Sequence, residues 1–218
     1  MKKIGLVETN AKVKTIKVSG IYAGDCKWVS DAVIVNEFKN AELLIFPGGG
    51  DVNPALYGEP EGKNTWFSKA SDERQIEVYT NNVGKTKLFG ICRGLQLLHV
   101  MAGGKLVQDI DHSHHGLITY DGLSLPSNTL HHQQVMFEGM IEGEDYKLLA
   151  WSDITSPYHM DGRDKNYNFG PNYKDPEVVY YPKIGAIGIQ GHPEMMSENS
   201  PTLRWLNTQI RKYLFNEK

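Results

Sequence analysis

Leu88-Phe89-Gly90-Ile91-Cys92-Arg93-Gly94-Leu95-Gln96 is the stretch that decides the fold. Its first four residues form a continuous apolar run of strand length, and the run breaks abruptly at Cys92 and the small Gly94. Beyond the break Leu95, Leu98 and Ala102 recur at helical spacing until Gly103-Gly104 stops them. Strand, sharp turn and helix therefore follow one another without a linker. The same grammar recurs elsewhere. Lys3–Val7 is an apolar run, Leu43–Phe46 ends in Pro47-Gly48-Gly49-Gly50, and Ile184–Ile189 ends in Gly191-His192-Pro193-Glu194. Runs apolar on both faces suit strands of a parallel sheet covered by helices. Between them, Ser71 reads as an N-cap ahead of Asp72, Glu73 and the spaced Ile76, Tyr79 and Val83. Ser200-Pro201 opens a last helix with Leu203, Leu206, Ile210 and Leu214 on one face. The class is α/β.

Outward from these elements the texture changes. Lys105 to Ser152 carries short strand-like pieces and several histidines, and Ser156 to Asp175 reads as a long polar surface loop. No repeat or second core is visible, so residues 1–218 are expected to form one domain. Hydrophobic residues make up 40% and charged residues 22%, which excludes wholesale disorder. The charge balance of 23 basic against 26 acidic residues has no basic run, so nucleic acid is not expected as a partner. No apolar stretch approaches membrane-spanning length, and Met1–Val7 lacks the core of a signal peptide. Cys26 and Cys92 are too few for a disulfide framework and suit a reduced, cytoplasmic setting.

Gly90-Ile91-Cys92-Arg93-Gly94 has the G-x-nucleophile-x-G form in the strand–helix context that the form requires. A helix N-terminus favours a thiolate placed there, and Arg93 adds a positive charge beside it. A buried inert thiol is the commoner fate of cysteine, and Cys26, without such a frame, is assigned to it. A thiol nucleophile needs a base and a group to orient that base. His192 supplies the base and Glu194 the partner for its second nitrogen, at the end of another core strand. In neighbouring parallel strands such carboxyl-edge loops converge. The glycines after Phe46 let a backbone N–H approach a ligand, so the N–H groups of Gly49 and Arg93 are the expected oxyanion hole.

Taken together, Cys92 to Gln96 and His192-Pro193-Glu194 resemble the class I glutamine amidotransferase-like superfamily. Within it the chain is similar to the gamma-glutamyl-gamma-aminobutyrate hydrolase branch, grouped with the C26 peptidases. The similarity lies in Phe46–Pro54, Leu56–Glu59, Gly103–Ile110 and Leu130–Gln133. The resemblance implies a flavodoxin-like, mostly parallel sheet with helices on both faces and the site at its carboxyl edge. It also implies hydrolysis of a small gamma-glutamyl amide through a thioester on Cys92, with no cofactor. Gln96, His131, His132 and Gln133 match positions that bind the glutamyl part. The chain departs from the family at His99, where asparagine is usual, and at Gln75, where aspartate is usual. Val7 to Leu43 is also too short and irregular for the family's usual first helix and second strand, and between Gln108–Ile110 and His131 the family generally carries a longer insert.

The same residues admit a glutaminase subunit that passes ammonia to a separate synthase partner. A thiol sensor on this fold would not need His192-Pro193-Glu194. His112, His114 and His115 with Asp109 and Asp111 could ligate zinc, but catalytic zinc sites usually draw on separated segments, so no metal is expected. The oligomeric state is left open by these features.

Overall fold

The computed structural model describes residues 2–7, 32–34, 41–110, 115–153, 158–161, 165–169, 172–197 and 199–217. Five strands run parallel in the order β2 (Ala32–Ile34), β1 (Lys2–Leu6), β3 (Leu43–Phe46), β4 (Lys87–Ile91) and β13 (Ala186–Ile189). Beyond β13 the sheet continues antiparallel through β12 (Pro176–Tyr181), β9 (Lys147–Ser152), β6 (Leu117–Thr119) and β7 (Ser124–Leu125), nine strands among the described residues. A small antiparallel pair joins β5 (Lys105–Val107) to β8 (Gln134–Met136).

Alternation along the buried strands sends side chains to two cores. Leu43, Ile45, Phe89, Ile91, Ile187 and Ile189 meet Trp205, Leu206, Ile210 and Leu214 of the helix Pro201–Phe215. Leu44, Phe46, Leu88 and Ala186 meet Val78 of the helix Lys69–Asn82 and Leu95, Leu97 and Leu98 of the helix Arg93–Met101. We label these helices α1 (Lys69–Asn82), α2 (Arg93–Met101) and α3 (Pro201–Phe215). Helices thus cover both faces of the parallel half. Among the described residues no helix is long and apolar enough to cross a membrane.

Several expectations need correction. A second strand does exist, Ala32–Ile34, pairing with β1; the other residues of the irregular stretch, including Cys26, lie outside the described residues. The cap of α1 is Ser68, whose side chain accepts from Ser71 N–H at 3.4 Å, so Ser71 sits inside the first turn. A cap hydroxyl accepts from an N–H two or three residues further on, and Ser68 stands three residues ahead of Ser71. Ile184 ends a 3-10 turn closed by Gly185, and the strand begins only at Ala186. The supposed long loop contains a hairpin of β10 (Tyr158–Asp161) and β11 (Lys165–Asn168).

Candidate active site

The ends of β3, β4 and β13 lie side by side because their registers align Phe46 with Gly90 and Ile91 with Ile189. The next residues of each strand therefore emerge at one edge. Cys92 makes the turn from β4 into α2 with φ 50° and ψ −110°, a conformation that costs a non-glycine residue of order 1–3 kcal/mol. Its N–H still donates to the Ile189 carbonyl at 2.8 Å, tying the turn to β13. Gly94 is required here: a Cβ on it would collide with the Phe46 carbonyl oxygen.

His192 follows β13 and bridges its two partners. Nδ1 lies 2.6 Å from Glu194 Oε1, and the ring is also hydrogen-bonded to the Cys92 side chain. With Nδ1 engaged by Glu194, Nε2 is the atom left for the thiol. These two hydrogen bonds, Cys92 first and Glu194 second, raise the imidazole to about 10 against an opposing burial effect. The Gly48 backbone presses on the pair: a Cβ there would stand 2.7 Å from His192 Cε1 and 3.6 Å from Cys92 Cβ. Gly49, next along, is exposed. Such an arrangement can acylate a thiol, since a base, its orienting carboxylate and a close glycine backbone surround one nucleophile.

The Arg93 side chain differs from expectation. It turns away from the thiol and is buried against α1, where Nη1 donates to Gln75 Oε1 at 2.5 Å and Nη2 pairs with Asp72. Its charge is spent on that ion pair, so only its backbone N–H is a candidate oxyanion donor. Burial pulls the guanidinium down and pushes the Asp72 carboxyl up, each opposed by the other's charge. Gln75, where the resemblance led to the expectation of aspartate, adds a neutral acceptor. The carboxylate comes from Asp72, one turn earlier on the same helix.

Gln96 is buried, and its Nε2 donates to the Gln133 carbonyl at 3.2 Å and to Gln190 Oε1 at 3.4 Å. Both side-chain amide atoms of Gln133 are buried without a hydrogen-bond partner among the described residues. His132 is partly exposed, with Nε2 3.0 Å from Asp51 Oδ1 and Nδ1 3.5 Å from Asp109 Oδ1. Its hydrogen bond to Asp51 is the main cause that raises it, and burial opposes. His131 points elsewhere. It is buried, 3.6 Å from Glu177 Oε1, beside His115 at 2.9 Å from the same oxygen. His112 and His114 lie outside the described residues, and among the described residues no group of three or more His, Cys, Asp and Glu has the geometry of a metal site.

Asn128, which the sequence left unmarked, and His99, noted there only as a departure from the resemblance, complete the arrangement. The Asn128 side-chain amide grips the backbone of His192, and His99 is sealed in the core behind α2. His99 Nε2–H donates to the Met136 carbonyl at 3.0 Å and Nδ1 accepts from the Tyr181 hydroxyl at 2.9 Å. Burial lowers it to about 4, so the ring is neutral. Neither contact has a sequence signature, because the partners lie 64 and 37 to 82 residues away.

Comparison with known proteins gives the same fold and a family. A family model described as Peptidase C26 matches residues 28–149, a span that holds Gly48–Gly50, Cys92, Gln96 and His131–Gln133 and ends before His192. Protein NtpR of Enterococcus hirae is 26% identical over 178 residues, which is 74% of this chain and 70% of that one. Imidazole glycerol phosphate synthase subunit HisH of Haemophilus influenzae is 26% identical over 176 residues, 78% of each chain. In three dimensions a glutamine amidotransferase from Thermotoga maritima superposes with a TM-score of 0.54 at 11% identity, over 99% of this chain and 89% of that one.

Proposed function

Because the chain belongs to the peptidase C26 family within the class I glutamine amidotransferase-like superfamily, we propose that it hydrolyses the gamma-glutamyl amide bond of a small compound, releasing glutamate and an amine. The observation that carries this reading is the linked Cys92, His192 and Glu194 at the merged ends of β4 and β13. In the proposed step Cys92 Sγ bonds to the amide carbonyl carbon, and His192 delivers the proton that lets the C–N bond break and the amine leave. Water then attacks the thioester, His192 takes its proton, and Cys92 returns as glutamate departs. The Gly49 and Arg93 N–H groups serve the tetrahedral oxyanion in both halves.

Gln133 is the strongest support for a polar substrate head. A buried amide normally finds partners, and leaving one bare costs on the order of 1–3 kcal/mol. A glutamyl group that accepts from Gln133 Nε2–H and donates to Gln133 Oε1 would remove that cost. Gln96 shapes the same wall through its bond to the Gln133 carbonyl. His132, partly exposed between Asp51 and Asp109, stands as the polar residue for the other end of the substrate. His131, turned toward Glu177, supports the wall from behind.

A second reading is favoured by the likeness to HisH: a glutaminase subunit serving a separate synthase. One experiment separates the two. Glutamate release is measured for the protein alone on glutamine and on gamma-glutamyl amides of larger amines. Turnover of the larger amides supports the hydrolase. Negligible rates on every amide, restored by a co-purifying ammonia-consuming synthase, would establish the subunit instead.

A further inference from the structure

We propose that Asn128 is a positioning residue for His192, holding the base in register with Cys92 through the backbone; this rests on the role given to His192 above. The loop between β7 and β8 brings the Asn128 amide against the backbone of the proposed base. His192 N–H donates to Asn128 Oδ1 at 2.7 Å, and Asn128 Nδ2 donates to the His192 carbonyl at 2.9 Å. One side chain thus pairs with both backbone polar groups of one residue, as a neighbouring strand would, and the carbonyl also accepts from Met195 N–H at 3.1 Å.

His192 needs such a partner. It lies beyond the end of β13, with φ −108° and ψ 86°, at the entry to the short 3-10 turn Pro193–Met195. Pro193 has no N–H, so the turn offers no donor immediately after the base. The ring is fixed at its tip by Cys92 and Glu194, but Glu194 belongs to the same short turn and would drift with it. Asn128 anchors that turn to a different part of the fold.

Two further contacts show that the anchor is built in. A Cβ on Gly191 would stand 2.9 Å from Ser127 Oγ and 3.1 Å from the Asn128 carbonyl and Oδ1, so the two loops are in direct contact. The Asn128 loop is itself pinned, because the Thr202 hydroxyl of α3 donates to the Pro126 carbonyl at 2.5 Å. An amide is the side chain this geometry demands. A carboxylate could accept from the N–H but would face the His192 carbonyl with a second acceptor.

The test uses Asn128→Ala and Asn128→Asp beside His192→Ala, with two readouts on the full chain. In steady state on the best gamma-glutamyl amide, both Asn128 variants should lose about 10- to 100-fold in kcat with KM within about twofold, the pattern of a displaced catalytic group. Iodoacetamide alkylation of Cys92, which needs no turnover, should slow in both variants and in His192→Ala alike. Asn128→Asp keeps the size of the side chain and carries the test if Asn128→Ala does not fold. A kcat and an alkylation rate within twofold of the parent protein in an Asn128 variant, with His192→Ala impaired, would overturn the positioning role alone. Unimpaired His192→Ala would instead overturn the base assignment on which it rests.

Discussion

Cys92 carries its cost in its own backbone. At φ 50° a side chain is strained whatever its chemistry, and the strain is what lifts the thiol above the edge of the sheet. Replacing Cys92 by glycine should relieve the strain, whereas alanine should keep it. The Cys92→Gly protein is expected to be more stable than Cys92→Ala by about 1 kcal/mol in denaturant melts, against the usual penalty for glycine. Both should lose turnover by several orders of magnitude, as triad removals do. Equal stabilities for the two variants would show that the turn is not strained.

At the scale of the element, α2 is set on the sheet by two kinds of contact. Its first turn packs so closely on β3 that only glycine fits at position 94, and its first residue, Arg93, is bolted to α1 through Asp72 and Gln75. Asp72 also accepts from Asn53 N–H at 3.2 Å, which ties the loop after the glycine run to the same carboxylate. Removing that charge leaves a buried guanidinium without its counter-ion. Asp72→Asn should therefore destabilise by roughly 3–5 kcal/mol, read as a lowered denaturation midpoint. Activity should fall further than stability alone explains, because the oxyanion candidates on both loops hang from this one pair. Lys87→Gln, an exposed change at the far end of β4, should do neither.

For the whole molecule, two histidines bend the dependence of stability on pH in opposite directions. His99 is held near 4, below its ordinary 6.5, by burial, so between those values the unfolded chain binds a proton that the folded chain does not. Stability is therefore fully present above 6.5 and falls as pH drops toward 4, by an amount on the order of 3 kcal/mol. His192 is raised to about 10, so its contribution is fully present below 6.5 and is lost as pH rises through 10. The sum is a dome with its top near neutrality. His99→Asn, which removes the titrating ring, should flatten the acid side and leave the alkaline side unchanged. Thermal melts from pH 4 to 10 would measure both limbs, and an acid limb of the same steepness in His99→Asn would contradict the assignment.

Contiguous signals were legible without a structure. The break at Cys92, the helical spacing of Leu95 and Leu98, and the buried runs of β3, β4 and β13 all depend on neighbours within a few residues. Backbone sterics, capping and periodicity act at that range. From them followed the α/β class, the parallel half of the sheet and the meeting of Cys92 with His192 and Glu194 at its edge. Tertiary packing alone decided the rest. The antiparallel extension from β12 to β7 comes from strands too short to show a period, such as the two-residue Ser124–Leu125. Asp72 reached Arg93, and His131 turned to Glu177, through choices of rotamer among charged groups that several positions could have satisfied equally well. Asn128 found His192 across 64 residues because two loops were pressed together by α3 and the sheet. An asparagine in a polar loop has no local pattern that distinguishes a grip on the His192 backbone from a solvated turn, so its partner exists only once the chain has folded.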